Sequence, residues 1–530
     1  MPDSSPRLAR SAGVFGLATF ASRILGLVRD QVLSYYFGAE TTADAFRVAG
    51  RIPNLVRDLF AEGAMSAAFV PTFTRQLTLH GRDRAWNLAS SVINSLILVT
   101  GVLVLAGIVF AEPLVRTFAP EFSTVPGQVE LTVHLTRIML PFLTMVAVAA
   151  ALMGMLNSLG HFFVPALSPA MFNVAVVAIS IIFIPMAPTL GVAPITIVAI
   201  GTLIGGLGQL LIQWPPLRKE GFRYRPIIDV KDDGLRRVLL LMGPGTIGMA
   251  TTQINVFVNT MLATSAGTGA VTYLDLAFRL MYLPIGLFGV SIAAASTPAI
   301  SRLVAEGDTG RVRSTLAGAI TLMLLLNVPA TLGLMVLAQP IVAVIFERGR
   351  FTAADTLATA AALQFYALGL VGYSVVRIVS PTFYSLHKSR IPVMVSMASV
   401  VVNVALNWWL VGRLGFRGLA LGTSVTALLN ASVQLWLMRR ELGGLDGDRI
   451  LRSLIRIAAA SAAMTAAAWG ANAVLTAWLP GQAFALQVIR LSASIAVALL
   501  TLALAAQVLR IQEFGEARDL VLGRFRRMVK

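Results

Sequence analysis

The residues best placed to do chemistry in this chain are ionisable side chains lying inside otherwise apolar stretches. The first stretch carries Arg23, Arg29 and Asp30; the next carries Asp44, Arg47, Arg51, Arg57, Asp58 and Glu62; a later one carries Asp275 and Arg279. A charge left at the centre of a bilayer costs about 2.5–3.5 kcal/mol, so such groups must face protein or a watery cavity. Wound at about 100° per residue, the second stretch places Asp44, Arg47, Arg51, Asn54, Asp58 and Glu62 on one face, with Pro53 bending the helix and Arg57 pointing elsewhere. Asp275 and Arg279 are four residues apart and can pair. Arg23, Arg29, Arg57 and Arg279 are not flanked by acids on every side, so cations predominate. Guanidinium matches phosphate bidentately, and the chemistry implied is recognition of an anionic, phosphate-bearing group. Bond-making chemistry has no such support. There is no Walker A loop, G-x-S-x-G, H-E-x-x-H or paired-aspartate metal motif; His80, His134, His161 and His387 are scattered, and cysteine is absent. No cofactor and no metal are expected. The alternative is that the charges are structural ion pairs and helix-end anchors, with Arg47 and Arg51 snorkelling and Arg137 and Arg377 serving as anchors.

The elements that hold these residues follow from composition. The 530 residues are 57% hydrophobic and only 13% charged, about half the charge of a soluble domain. That excludes a soluble enzyme, a disordered chain and a disulfide scaffold. Residues 85–111, 138–217, 238–274, 314–346 and 457–489 contain no Asp, Glu, Lys or Arg. At about 20 residues per crossing, the pattern predicts an all-α integral membrane protein. About 14 transmembrane helices are expected, centred near residues 23, 56, 100, 142, 173, 203, 250, 285, 325, 370, 400, 428, 464 and 499. The net charge of +17 invites a nucleic-acid reading. The cations, however, gather in alternate loops, at Arg75–Arg84, Arg218–Arg237, Arg302–Arg313, Lys388–Arg390 and Arg439–Arg452. That is the bias of cytoplasmic loops, so no nucleic-acid partner is expected and both termini should be cytoplasmic.

The chain also repeats itself. Pro71, Arg75, Ala111, Pro113, Ser158, Leu159 and Pro165 recur as Pro298, Arg302, Ala338, Pro340, Ser385, Leu386 and Pro392, each 227 residues on. Six spans fit one period, so both copies keep one orientation, as in a parallel repeat. The organisation expected is an N-lobe at 1–220, a C-lobe at 221–445, a helix pair at 446–510 and a basic amphipathic tail at 511–530.

With these residues in view the sequence resembles a known family. A-S-R-I-L-G-L-V-R-D (21–30), T-A-D-A-F (42–46) and R-I-P-N-L-V-R-D-L-F-A-E-G-A-M-S-A-A-F-V-P (51–71) resemble the N-terminal signature of the MurJ/MviN lipid II flippase family. That family belongs to the multidrug/oligosaccharidyl-lipid/polysaccharide exporter superfamily. Further matches are G-P (243–244), F-R-L-M-Y-L-P-I-G-L-F-G-V (278–290), F-E-R-G-R-F-T (346–352) and P-T-F-Y-S (381–385), so the resemblance covers essentially the whole chain. It implies two six-helix lobes plus a C-terminal pair and a transport function rather than an enzymatic one. It implies that Arg23, Arg29, Arg57 and Arg279 bind the lipid diphosphate, with Asp44 and Glu62 at polar family positions, Arg377 at a cationic one and the last two helices holding the polyprenyl tail. The partners it implies are lipid II, membrane lipids and cell-wall synthesis proteins. Two departures stand out. Phe278 occupies a position that is acidic in some members, where Asp275 would substitute from the preceding turn. Asn255, Asn259, Asn403, Asn407 and Thr423 stand where some members place a carboxylate-containing sodium site, which argues against sodium coupling here.

Overall fold

A computed structural model gives the fold for residues 5–59 and 65–515, with side chains described from residue 20 onward except at 66, 67, 243–249 and 251. Glu62 and residues 516–530, the greater part of the expected tail, lie outside the described residues. The described residues form helices and no strand. In chain order these are α1 (Ser5–Phe37), α2 (Thr41–Arg57), α3 (Ser66–Val109), α4 (Ala111–Phe118), α5 (Gln128–Met139), α6 (Phe142–Ser158), α7 (Phe163–Phe183), α8 (Ala187–Leu190), α9 (Pro194–Lys219) and α10 (Asp233–Thr264). They continue as α11 (Ala270–Pro284), α12 (Val290–Ala305), α13 (Thr309–Val336), α14 (Ala338–Phe346), α15 (Ala353–Ala367), α16 (Leu370–Ser385), α17 (Arg390–Leu414), α18 (Phe416–Glu441), α19 (Gly447–Trp478) and α20 (Phe484–Val508).

Among the described residues, 10 helical segments are long and apolar enough to cross a membrane, or 11 if the bent pair α15–α16 counts as one span. That is fewer than the fourteen expected. The three remaining positions fall on α1, α2 and α10. Helices α1 and α2 carry the charges discussed above, which lower their apolarity, and α10 includes side chains outside the description. The outward surface is apolar, with Leu240, Trp408, Trp478 and Val508 all exposed. Lipid is the solvent such a surface suits.

Contacts divide the chain into two compact units: Met1–Thr272 with Arg348–Phe351, and Tyr273–Glu347 with Thr352–Lys530. In the first unit, α9 packs against α6 and α7, and α7 in turn against α1. Glycines permit the approach: a Cβ at Gly205 would lie 2.9 Å from the carbonyl oxygen of Phe172 on α7. An aromatic row of Phe69, Phe73, Trp86, Phe222 and Trp214, with successive ring centroids 5.3–5.9 Å apart, fills the core beside α3. The segment after α9 is strapped along α3. Asn94 donates to the carbonyls of Arg225 and Ile227 at 2.8 and 2.9 Å, and the backbone N–H of Asp229 donates to Ser91.

In the second unit α18 takes the place α9 has in the first, packed against α16 and α17, while α13 lies on α19 and α19 on α20. Here again small residues set the spacing. A Cβ at Gly372 of α16 would stand 2.6 Å from the Ala427 carbonyl of α18, the close backbone approach typical of helices in lipid.

The repeat is visible in the helix boundaries. Shifted by 227 residues, α1, α2, α4, α5 and α6 fall on α10, α11, α14, α15 and α16, and α7 begins where α17 begins. Helix α3 breaks at Gly81 (φ 81°), and its counterpart is split into α12 and α13 by a turn containing Gly307 (φ 74°). The caps recur as well. The His161 N–H bonds the Leu156 carbonyl, and the Lys388 N–H bonds the Phe383 carbonyl, both at 2.9 Å. The left-handed residue is Gly160 in one copy and His387 in the other, each closing a Schellman-type C-terminus.

Candidate functional site

The expected site residues lie in both units. In the first, α1 carries Arg23 and Arg29, both half-buried. Arg29 donates through Nη2 and Nε to Oδ1 of the buried Asp30, at 3.0 and 3.3 Å, and its guanidinium lies 5.6 Å from the Phe172 ring centroid. Asn173 of α7 donates to the carbonyl of Ser22, tying α7 to α1 beside Arg23. At the end of α2, Arg57 donates bidentately to Oδ1 of Asp58 at 2.6 and 2.9 Å. Both members are more than a quarter exposed, so this pair is accessible to a competing anion.

Asp44 behaves differently. It is buried, and its carboxylate accepts from the Gly269 N–H at 2.6 Å, the Thr272 N–H at 3.0 Å and the Thr272 hydroxyl at 2.7 Å. Those donors are the residue just before α11 and the third residue of its first turn, whose N–H groups have no partner within the helix. Asp44 is therefore a cap supplied from another helix, with its lone pairs committed to backbone. Beside it Glu40 faces Arg350 at 3.7 Å, and the Arg350 N–H bonds the Tyr35 carbonyl at 2.9 Å. Gly349 (φ 61°) allows this, because a Cβ there would collide with Tyr35 backbone.

In the second unit Arg279 approaches Asp275 one turn earlier on α11 at 3.9 Å, the outer limit of an ion pair. Arg279 keeps 34% of its side chain exposed. Phe278 is the centre of an aromatic cluster. It stacks on Tyr282 at 5.8 Å and meets Tyr366 and Tyr373 edge-on at 5.4 and 6.3 Å. Arg377 is tied in by donating to the Tyr282 hydroxyl while its guanidinium lies 5.5 Å from that ring's centroid. This is the cation–π geometry of an anchored arginine. Immediately after Pro284 the chain winds one π turn, Ile285–Gly289, a local rewinding frequent at functional sites.

The sequence reading expected the Asp275–Arg279 pair, which is present at 3.9 Å, and did not expect Arg29 and Arg57 each to pair with the next residue, as they do. It also missed Tyr282, Tyr366 and Tyr373, whose aromatic character resembles ordinary core until the rings are seen around Phe278. Among Asn255, Asn259, Asn403, Asn407 and Thr423 one bond, from Asn403 to Thr426, joins two helices, and the others stay within one helix. Asn407 donates to Asn403 at 3.1 Å, and Asn403 to Thr426 of α18 at 3.4 Å. Asn259 donates to Asn255 at 3.4 Å, and Thr423 to the Leu419 carbonyl of its own helix.

Comparison with known proteins agrees with this architecture. The family described as Lipid II flippase MurJ matches residues 33–489. A probable lipid II flippase MurJ from Bdellovibrio bacteriovorus is 36% identical over 466 residues, covering 88% of each chain. The lipid II flippase MurJ of Burkholderia cenocepacia is 33% identical over 429 residues, 80% of this chain and 82% of that one. Among solved structures, a lipid II flippase MurJ in an inward closed conformation superposes with a TM-score of 0.75 at 26% identity, covering 93% of this chain and 99% of the other. An inward-facing multidrug resistance transporter of the MATE family shares the fold at a TM-score of 0.66 and 19% identity. The chain belongs to the MurJ family of lipid II flippases.

Proposed function

We propose that this chain moves lipid II, the undecaprenyl-diphosphate-linked peptidoglycan precursor, from the inner to the outer face of the bacterial cytoplasmic membrane. Family membership over most of the chain is the observation that carries this reading. On it the protein is a multi-pass transporter of the inner membrane, not an enzyme, with both termini cytoplasmic and cell-wall synthesis proteins as neighbours. Two six-helix lobes, 1–220 and 221–445, rock in alternating access, and helices α19 and α20 hold the polyprenyl tail.

The residues supply the chemistry of anion capture. Arg23, Arg29, Arg57 and Arg279 are the diphosphate ligands in this proposal. Each of the pairs Arg29–Asp30, Arg57–Asp58 and Arg279–Asp275 gives the guanidinium a resting partner that a diphosphate can displace. A diphosphate offers more acceptor oxygens and more charge than one carboxylate, so exchange favours the substrate. Arg279 is the loosest of the three pairs and so the readiest to rearrange. Asp44 and Asp275 act by holding α11 and Arg279, and Glu62 stays in the proposal on its family position alone. Moving an uncompensated guanidinium through the field costs about 2.3 kcal/mol per 100 mV. Bound diphosphate cancels that charge, so flipping should respond to membrane potential.

The test is lipid II exposure on the outer face of cells depleted of their own flippase. Wild type is expected to restore exposure, and Arg279→Ala at matched protein level is not. Normal exposure with Arg279→Ala would remove the arginine from the mechanism. Failure of correctly inserted wild type would move the reading to another polyprenyl-linked saccharide. Tolerance of arginine-to-lysine swaps throughout would favour a non-transporting cell-wall scaffold.

A further inference from the structure

The cytoplasm-facing end of the α19–α20 pair, on the orientation proposed above, contains a cleft of about 280 Å³. None of the arginines of α1, α2 and α11 lines it. Arg449, Arg452, Ser453 and Arg456 line one wall from the first turns of α19, and Gln512 and Glu513 the other. The arginines are spaced three and four residues apart, so they share one helix face. The opposite wall is formed by a turn. Helix α20 ends with Arg510 in a left-handed conformation (φ 51°), the Ile511 N–H bonds back to the Ala506 carbonyl, and the Arg510 carbonyl accepts from Arg456 at 3.3 Å. A non-glycine residue in that region is strained, and the turn it closes holds it there. The turn buries Glu513, only 5% exposed, where it accepts from Ser453 at 3.2 Å and faces Arg449 at 3.9 Å.

Glu513 thus fixes one wall without neutralising it. Among the described residues that line the cleft, three guanidinium groups face one carboxylate, and Nε of Arg449 is buried with no hydrogen-bond partner. Donors outnumber acceptors among them. Exposed apolar side chains neighbour these residues in the chain: Ile455, between Arg452 and Arg456, is 60% exposed, and Val508, two residues before Arg510, is 80% exposed. A phosphate seated among the arginines would have hydrocarbon beside it, as the phosphate of a lipid does and a free phosphate does not.

We propose that this cleft binds the phosphate of an anionic phospholipid of the inner leaflet, its acyl chains lying against Ile455 and Val508. The site is additional to the diphosphate ligands and does not depend on the flipping reading.

The test is lipid retention by the full-length protein, measured by native mass spectrometry after delipidation and titration with phosphatidylglycerol or phosphatidylcholine. The variants are Arg452→Gln and the triple Arg449→Gln, Arg452→Gln, Arg456→Gln. Each arginine near an anionic headgroup is worth roughly fivefold in affinity, so the triple is expected to lose on the order of a hundredfold for phosphatidylglycerol with phosphatidylcholine unchanged. Arg452 does not pair with Glu513, so its single variant reports even if the triple fails to fold, and about fivefold is expected from it. Equal phosphatidylglycerol retention by wild type and Arg452→Gln would overturn the proposal. Displacement of the lipid by inorganic phosphate at equal concentration would reassign the cleft to a free anion and overturn it equally.

Discussion

Replacing Gly372 with alanine isolates the contact on which α16 and α18 meet. The added Cβ would lie 2.6 Å from both the carbonyl carbon and oxygen of Ala427 and 2.8 Å from the Leu428 nitrogen. Ordinary contact begins near 3.4 Å, so α16 must withdraw by about 0.8 Å. The obstacle is backbone in a neighbouring helix, which cannot turn aside as a side-chain tip can. Overpacking of this kind costs about 1–3 kcal/mol. Alanine also gains up to about 1 kcal/mol of helix propensity over glycine, which would mask part of the loss. Gly318→Ala on α13 supplies that gain alone, because no atom lies within 4 Å of its Cβ. The difference between the two variants is then the packing cost, roughly 5- to 150-fold in the ratio of folded to unfolded protein. The assay is unfolding in mixed detergent micelles followed by tryptophan fluorescence, with both variants at one temperature. If Gly372→Ala proves as stable as Gly318→Ala, the close approach of α16 to α18 is not rigid and the reasoning fails.

Asp44→Asn is expected to cost about 1–3 kcal/mol in the same assay, because an amide has one acceptor and turns its N–H₂ towards a donor of the α11 turn; unchanged stability would mean that the cap is dispensable. His387→Gly should gain and Gly160→Ala lose about 1 kcal/mol or less, since both positions hold left-handed backbone that only glycine adopts without strain; the opposite order would refute the equivalence of the two caps. The hydrogen bond with His161, aided by the charge of Arg82, holds the Glu220 carboxyl below its ordinary value of 4.5. A depressed carboxylate contributes stability above its ordinary pKa and loses it as pH falls through the folded value. Wild type should therefore lose stability below about pH 4.5 more steeply than Glu220→Gln, as read from melting temperatures across an acid series; parallel curves would remove the pair from the acid response.

The repeat was legible in the sequence because helices conserve register. Prolines and small residues 227 apart mark equivalent turns, and the helix boundaries fall at the same offset. The cation positions were legible because charge is rare among apolar residues. Their pairing was legible for Asp275 and Arg279, one turn apart, and not for the others. Neighbouring residues on a helix point about 100° apart, so Arg29–Asp30 and Arg57–Asp58 looked unmatched, yet a long guanidinium reaches back across that angle. The cap that Asp44 provides was hidden because its partners lie 225 and 228 residues away, a separation no local pattern encodes. The aromatic cluster around Phe278 was hidden because hydropathy scores a buried Tyr like any half-apolar residue. The span count fell short on α1 and α2 because both carry charge, and α2 is also only 17 residues long.

The two copies of the repeat differ in length at one place. The final helices α9 and α18 match at an offset of 222, five residues less than the 227 of the others, and the difference arises after α7. There the first copy has a 3-10 turn and the four-residue α8 before α9 begins, whereas only Gly415 separates α17 from α18. Gly191, within this excess, would meet no atom within 4 Å if it gained a Cβ. For an experimenter this marks a splice point: one copy already accommodates extra chain there with its helices still in step. An epitope or fluorophore tag placed between α8 and α9 would follow a detour the fold already takes, and would report from which side of the membrane that loop is reached.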